Sequence, residues 1–284
     1  MISAATVDGM TTDTSRPTGA SAAPERPRYR ASLQQLRSAQ KSAQGAPAYS
    51  RFVNRPLGRR LAAAAHVAGL TPNQVTAASA LATGTGIAVV ALAPSAWWKG
   101  LLVAALLVLG YALDAADGQL ARLRGGGSKA GEWLDHVVDA AKTSCLHLAV
   151  AVGAYLTFSP RPSGWLLVPL AFAAVASTWF FTIILNDHIR RLAGTRDGQA
   201  VVRAGEARQH SALRSVASAP VDYGVLCLLF VLLGWPALFT WAYGLLALAF
   251  TAVTAASMVV WFRQAGALDH PVPAPRPAAQ EVGA

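Results

Sequence analysis

Six stretches near residues 74–93, 98–121, 133–157, 164–186, 217–234 and 237–261 are almost continuously apolar, and this feature limits the chain's fold more than any other. An α-helix needs about 20 such residues to cross the hydrocarbon core of a bilayer. Lipid offers the backbone no hydrogen-bond partners, so a crossing segment must satisfy its amides internally, which a helix does. Composition points the same way: 54% of the 284 residues are hydrophobic and only 13% are charged, against about 25% charged in soluble domains. A disordered or collagen-like chain is excluded. The expected fold is an all-α integral membrane protein of six transmembrane helices, preceded by an N-terminal interfacial amphipathic helix.

The flanks differ in character. Residues 1–48 are rich in Ala, Ser, Thr, Pro and Arg, lack apolar periodicity and have no signal-peptide core, so they read as a disordered basic tail. Over 49–70, Phe52, Val53, Leu57 and Leu61 recur at helical spacing with Arg51, Arg55, Arg59 and Arg60 between them. That pattern suits a helix lying in the membrane interface. Thr71-Pro72-Asn73-Gln74 reads as a helix start, with Thr71 as N-cap and Gln74 closing a capping box. Residues 71–264 then form the expected six-helix transmembrane domain, and the proline-rich 265–284 a second disordered tail.

A net charge of +10 would suggest nucleic acid in a soluble protein. Here the basic residues lie between the apolar runs, where they meet anionic headgroups and set orientation. With six spans, the side holding both termini carries 21 Lys and Arg, and the opposite side only Lys99 and Arg161. Both termini are therefore expected on the cytoplasmic side of the cell membrane. Cys145 and Cys227 sit singly in apolar runs, as structural thiols do, without the spacing of a zinc site or disulfide framework. The six histidines are scattered and form no ligand motif.

Four aspartates break the apolar pattern. Asp114 and Asp117 are three apart near the end of the second span, and Asp135 and Asp139 four apart near the start of the third. Each spacing puts a pair on one helix face, and the short linker containing Gly125-Gly126-Gly127 lets the two pairs converge. A carboxylate near hydrocarbon costs about 3 kcal/mol even on lenient scales, so four together need a partner. Salt bridges to Arg122, Arg124, Lys129 and Lys142 are the bland solution. Hard oxygen ligands from two helices also suit a pair of Mg²⁺ or Mn²⁺ ions, which is how a diphosphate undergoing in-line displacement is commonly held. Gly118 and Ala121 leave a shallow face beside them, although small residues in membrane helices more often serve packing.

The stretch Asp114-Ala-Ala-Asp117-Gly118-Gln-Leu-Ala121-Arg122, then eight residues, then Gly131-Glu-Trp-Leu-Asp135-His-Val-Val-Asp139, reproduces a D-x2-D-G-x2-A-R-x8-G-x3-D-x3-D pattern across 26 positions. It resembles the signature of the CDP-alcohol phosphatidyltransferase family, the class I CDP-alcohol phosphotransferases. The wider resemblance, including Pro72, Asn73 and Thr76 at the start of the first span, covers roughly 49–262. It implies a membrane enzyme of phospholipid biosynthesis that moves a substituted phosphate, usually phosphatidyl, from a CDP-linked donor to an alcohol and releases CMP. By the same resemblance, Asp114, Asp117, Asp135 and Asp139 hold the metal ions, and Asp139 is also the general base. Asp114, Asp117, Gly118, Ala121, Arg122 and Gly131 bind CDP, and the protein is a homodimer.

The acceptor half is less constrained. A phosphorylated acceptor needs cations, for which Arg190, Arg191 and Lys142 are the candidates, with Arg196, Arg203, Arg208 and Arg214 nearby in sequence. The donor is expected to be CDP-diacylglycerol, with a soluble CDP-polyol as alternative. A divalent-cation transporter is the rival from another class. It calls for acids near mid-membrane on several helices, whereas these acids cluster at the ends of two.

Overall fold

The computed structural model describes residues 29–38, 47–157, 164–196 and 219–268, and every regular element among them is helical. The elements are α1 (Tyr29–Ser38), a π-helical turn (Ser50–Asn54), α2 (Arg55–Val67), α3 (Pro72–Leu92), α4 (Trp97–Leu123), α5 (Lys129–Thr157), α6 (Leu167–Arg196), α7 (Tyr223–Leu229) and α8 (Pro236–Ala267). Short 3₁₀ turns, Ala219–Val221 and Phe230–Gly234, flank α7.

Five of these helices, α3, α4, α5, α6 and α8, are long and apolar enough to cross a membrane. The stretch expected as a fifth span, 217–234, gives a shorter element. Tyr223–Gly234 is apolar but broken into an α and a 3₁₀ part, and it rises only about 20 Å, against the roughly 30 Å of a bilayer core. Hydropathy measures apolar length, but Asp222, which caps α7, and Pro236, which opens α8, set where the chain turns. Helix α6 runs beyond its expected end at 186 and α8 beyond 261.

Helix α1 corrects the expectation of a disordered tail over 29–38. Leu36 is buried, and Leu33 packs beside it on a cluster that includes Ala62, Ala63, Ala116 and Leu120. Two leucines three apart in a polar segment carry too little periodicity to be seen in sequence, but they suffice once α2 and α4 supply a surface. The tail residues 1–28, 39–46 and 269–284 lie outside the described residues. Helix α2 is packed on α4: a Cβ on Gly58 would sit 2.8 Å from the Cβ of Ala115 and 3.1 Å from the carbonyl of Ala112. Its Ala62 and Ala63 face is thus covered by protein, while Phe52 in the preceding turn is exposed.

The start of α3 is the expected capping box: the Gln74 backbone amide donates to Thr71 Oγ1 at 3.2 Å and the Thr71 amide to Gln74 Oε1 at 2.8 Å. At the far end of α3 the buried Lys99 donates to the carbonyls of Val90 and Ala93, satisfying two orphan acceptors of the helix terminus. Helices α3 and α4 approach closely at Gly110, against the side chain of Thr83, and Ser79 Oγ donates to the Gly110 carbonyl at 2.8 Å. An aromatic core of Phe172, Phe230, Phe239, Tyr243 and Phe250 joins α6, α7 and α8 to Leu107 of α4 and Leu146 of α5. His147 is buried there, its Nδ1 2.6 Å from Tyr243 Oη and its ring stacked on Phe172. Cys227 is buried, as expected, but Cys145 lies exposed on the outer face of α5.

Candidate active site

The signature residues meet where α4 ends and α5 begins. Helix α4 closes with the Gly126 amide donating to the Ala121 carbonyl at 2.9 Å and the Gly125 amide to Arg122 at 3.1 Å. Gly125 and Gly126 both have positive φ, 92° and 132°, which residues with a Cβ rarely adopt. This turn folds α5 back along α4, and the Gly131 amide donates to Ser128 Oγ as α5 begins.

The reversal brings one carboxylate oxygen each of Asp114, Asp135 and Asp139 within 4.8 Å of one another. Asp117 lies outside that triad. It is 4% exposed, and its Oδ2 accepts a 2.6 Å hydrogen bond from Thr76 Oγ1 on α3. Lys142, one turn beyond Asp139, donates to Asp114 Oδ1 at 2.7 Å, Asp139 Oδ1 at 2.9 Å and Ser79 Oγ at 3.1 Å. The ion pairs weighed in the sequence are thus present for Lys142, which ties one aspartate from each helix together. The remaining oxygens form a hard donor set of the kind Mg²⁺ and Mn²⁺ take.

Two cavities meet at this cluster. One, of about 230 Å³, is bordered by Asp114, Asp117, Gly118, Arg122 and Asp135. Ala121 and Gly131 do not line it. Ala121 lies beneath Gly127, and Gly131 gives the close approach of α5 to Asn73 and Ser128, where a Cβ would come within 3.0–3.1 Å. Ser50, Asn54, Arg55 and Tyr111 also line it, with Ala115 and Gln119. Sequence reasoning missed the first four as site residues because they come from the π-helical turn, α2 and an inner turn of α4, outside the signature. The turn is held in place by Asn54 Nδ2, which donates to the Tyr111 carbonyl at 3.2 Å. Arg122, which borders this cavity, has its Nε buried without a hydrogen-bond partner.

The second cavity, of about 200 Å³, lies on the other side of Tyr111 and Asp114 and contains Asp139 and Lys142. Arg190 and Arg191 are not in it. Arg190 donates to Gln264 Oε1 at 2.7 Å, and Arg191 pairs with Glu132 at 2.9 Å and Asp187 at 2.6 Å, beside a third cavity on α5 and α6. Arg203, Arg208 and Arg214 lie outside the described residues, as does the side chain of Arg196.

Membrane-length helices around paired aspartates and a buried arginine define a polytopic membrane protein with a candidate metal-assisted phosphoryl-transfer site. A sequence profile described as CDP-alcohol phosphatidyltransferase matches residues 69–253. The chain belongs to that family, and its members are transferases of phospholipid synthesis. Among solved structures it is similar to a Mycobacterium tuberculosis phosphatidylinositol phosphate synthase with CDP-DAG bound, at 20% identity and a TM-score of 0.45, covering 74% of this chain and 94% of that one. No curated protein sequence matches.

Proposed function

We propose that the protein transfers a phosphatidyl group from CDP-diacylglycerol to an alcohol and releases CMP. The observation that carries this reading is the convergence of Asp114, Asp135 and Asp139 from two helices at the junction of two cavities. The cavity bordered by Gly118, Arg122 and Arg55 takes the CDP moiety, with the unpartnered Arg122 Nε donating to its diphosphate. Asp114, Asp117, Asp135 and Asp139 hold Mg²⁺ or Mn²⁺, in a pair. The ions, when bound, neutralise charge on the diphosphate and on the departing CMP.

Asp139 accepts the proton of the acceptor hydroxyl. The acceptor oxygen forms a bond to the phosphorus that bears the lipid, the bond from that phosphorus to the bridging oxygen breaks, and CMP leaves with the electron pair. Asp139 has the position for this, because it faces the second cavity while Asp114 borders both. The Thr76 hydroxyl fixes Asp117, and the Lys142 ammonium fixes the separation of Asp114 and Asp139.

Residues 71–264 form the catalytic unit, with α1 and α2 resting on its active-site end. That end is cytoplasmic, because Arg122, Arg124, Lys129, Arg190 and Arg191 all lie at the ends of helices around it, whereas Lys99 is at the other. The test is CMP release by purified protein in detergent with Mg²⁺ or Mn²⁺ and CDP-diacylglycerol. Release that depends on an added alcohol and is lost in Asp139→Asn supports the reading. Failure to bind CDP overturns it.

A further inference from the structure

Ser50, Asn54 and Arg55 reach the nucleotide cavity on a helical turn that has little apolar burial of its own. Within Ser50–Asn54 only Asn54 is buried, while Phe52 and Val53 are exposed. A segment with few buried apolar contacts has low local stability, so polar contacts decide where the turn sits. One is the bond from Asn54 to the Tyr111 carbonyl at the end of the turn. The other is at its start, where Asp222 Oδ2 accepts from the backbone amides of Tyr49 at 2.8 Å and Ser50 at 3.4 Å, across 173 and 172 positions of sequence.

Asp222 belongs to a different part of the molecule. It is buried, borders the second cavity and caps α7, its Oδ1 accepting from the Gly224 amide at 3.1 Å. The carboxylate thus meets the starts of two helical segments. Each start presents amides without an intrahelical partner and the positive end of a dipole, which lets a buried anion persist there. The rings repeat the connection. A Cβ on Gly224 would overlap the Tyr49 ring, which lies where it does only because residue 224 has no side chain. The same ring stacks on Tyr111 at 6.3 Å, and Tyr111 meets Tyr223 edge-on at 5.1 Å. Tyr111 borders both cavities and Tyr223 the second.

We infer that Asp222 is a positioning residue for the donor: from the wall of the second cavity it seats the turn on the first, and so sets the affinity for CDP. For the occupant of the first cavity this rests on the transferase reading above. Asp222 is not among the described residues lining that cavity, so its effect on CDP runs through the turn. Where a site is competent only part of the time, the apparent Kd is the intrinsic Kd divided by the competent fraction, and a turn seated about one-tenth of the time binds CDP about tenfold more weakly.

The experiment measures the Kd for CDP by calorimetry on the full chain in detergent with Mn²⁺. Asp222→Ala is expected to raise it about tenfold. Gly224→Ala, which displaces the Tyr49 ring and keeps the carboxylate, is expected to raise it in the same direction. Lys99→Met, at the opposite end of the bundle, strips the carbonyls of Val90 and Ala93 of their donor; it is expected to lower the melting temperature and leave the Kd unchanged. In the Asp222→Ala background, Arg55→Ala should cost less affinity than in the native protein, because the two act through one seat. A native Kd in folded Asp222→Ala or Gly224→Ala overturns the inference and leaves the transferase reading standing. An equal rise in Lys99→Met does the same, since the effect would then be one of stability alone, and so does strict additivity with Arg55→Ala. If Asp222→Ala does not fold, Gly224→Ala decides on the same terms. A native protein that binds no CDP overturns both readings.

Discussion

Replacing Lys142 by Met removes the one cation that joins the two helices of the carboxylate cluster, at nearly constant volume. In the native protein its Nζ lies 2.7 Å from Asp114 and 2.9 Å from Asp139, with the side chain only 11% exposed. Without it, carboxylate oxygens within 4.8 Å of one another face each other directly. Two unit charges at that separation repel by about 3.5 kcal/mol at an effective dielectric of 20, and breaking one partner out of a buried ion pair costs about 3–5 kcal/mol. For a chain of this size that is a fall in melting temperature of roughly 10 °C. A divalent ion relieves the same repulsion, and in the variant it need not displace an ammonium first. Mn²⁺ should therefore bind Lys142→Met more tightly, by about 2 kcal/mol or more, which is roughly 30-fold. Two measurements in detergent check this: thermal unfolding in EDTA against saturating Mn²⁺, and titration of free Mn²⁺ by electron paramagnetic resonance. The gap in melting temperature should open in EDTA and close with Mn²⁺. A variant that melts like the native protein in EDTA and binds Mn²⁺ no more tightly would show that Lys142 is not the counter-ion of the cluster.

Asp139→Asn should keep the fold while lowering CMP release by about 10²–10⁴-fold, the usual contribution of a general base, and native-like turnover would remove Asp139 from that role. Thr76→Val deletes the 2.6 Å hydrogen bond to the buried Asp117 and should cost about 1.5–3 kcal/mol, the worth of a bond to a charged group, read as a lower melting temperature in EDTA. Asp222→Ala removes the N-cap of α7 together with its bonds to Tyr49 and Ser50. It should cost about 1–2 kcal/mol, and because Asp222 is not among the triad that can hold a metal, the loss should be the same with or without Mn²⁺.

The spans were legible because apolar length is a property of local sequence, and so was the capping box at Thr71, whose partners are three residues apart. The convergence of Asp114, Asp135 and Asp139 was legible for a related reason, two helix-face spacings and a tight glycine turn, but Asp117 turns instead to Thr76 on α3. What could not be read depends on contacts between distant segments. Helix α1 exists because α2 and α4 offer Leu36 a surface. The α7 segment has the composition of a span, but the cap at Asp222 and the 3₁₀ turn at Phe230–Gly234 shorten it. Arg55, Asn54 and Ser50 join the site only because Gly58 lets α2 lie flat on α4. Lys142 was visible as a cation near the acids, but its role depends on the rotamer that spans from α5 to α4.

On the transferase reading, the two cavities hold the two substrates on either side of Tyr111 and Asp114. Asp117 and Asp135 border only the nucleotide side, Asp139 only the acceptor side, and Asp114 both. On that reading, a phosphorus held at Asp114 would be open to an acceptor oxygen from the second cavity and to CMP from the first, as an in-line displacement needs. The nucleotide half is built from the signature on α4 and α5 together with the turn and α2 laid across it. The second cavity takes most of its wall from α6, α7, α8 and the turn before α7, none of which contributes a signature residue. On the transferase reading, the pattern on α4 and α5 marks the nucleotide side, whereas the wall of the second cavity draws on residues as far along as Phe250, 111 positions beyond Asp139.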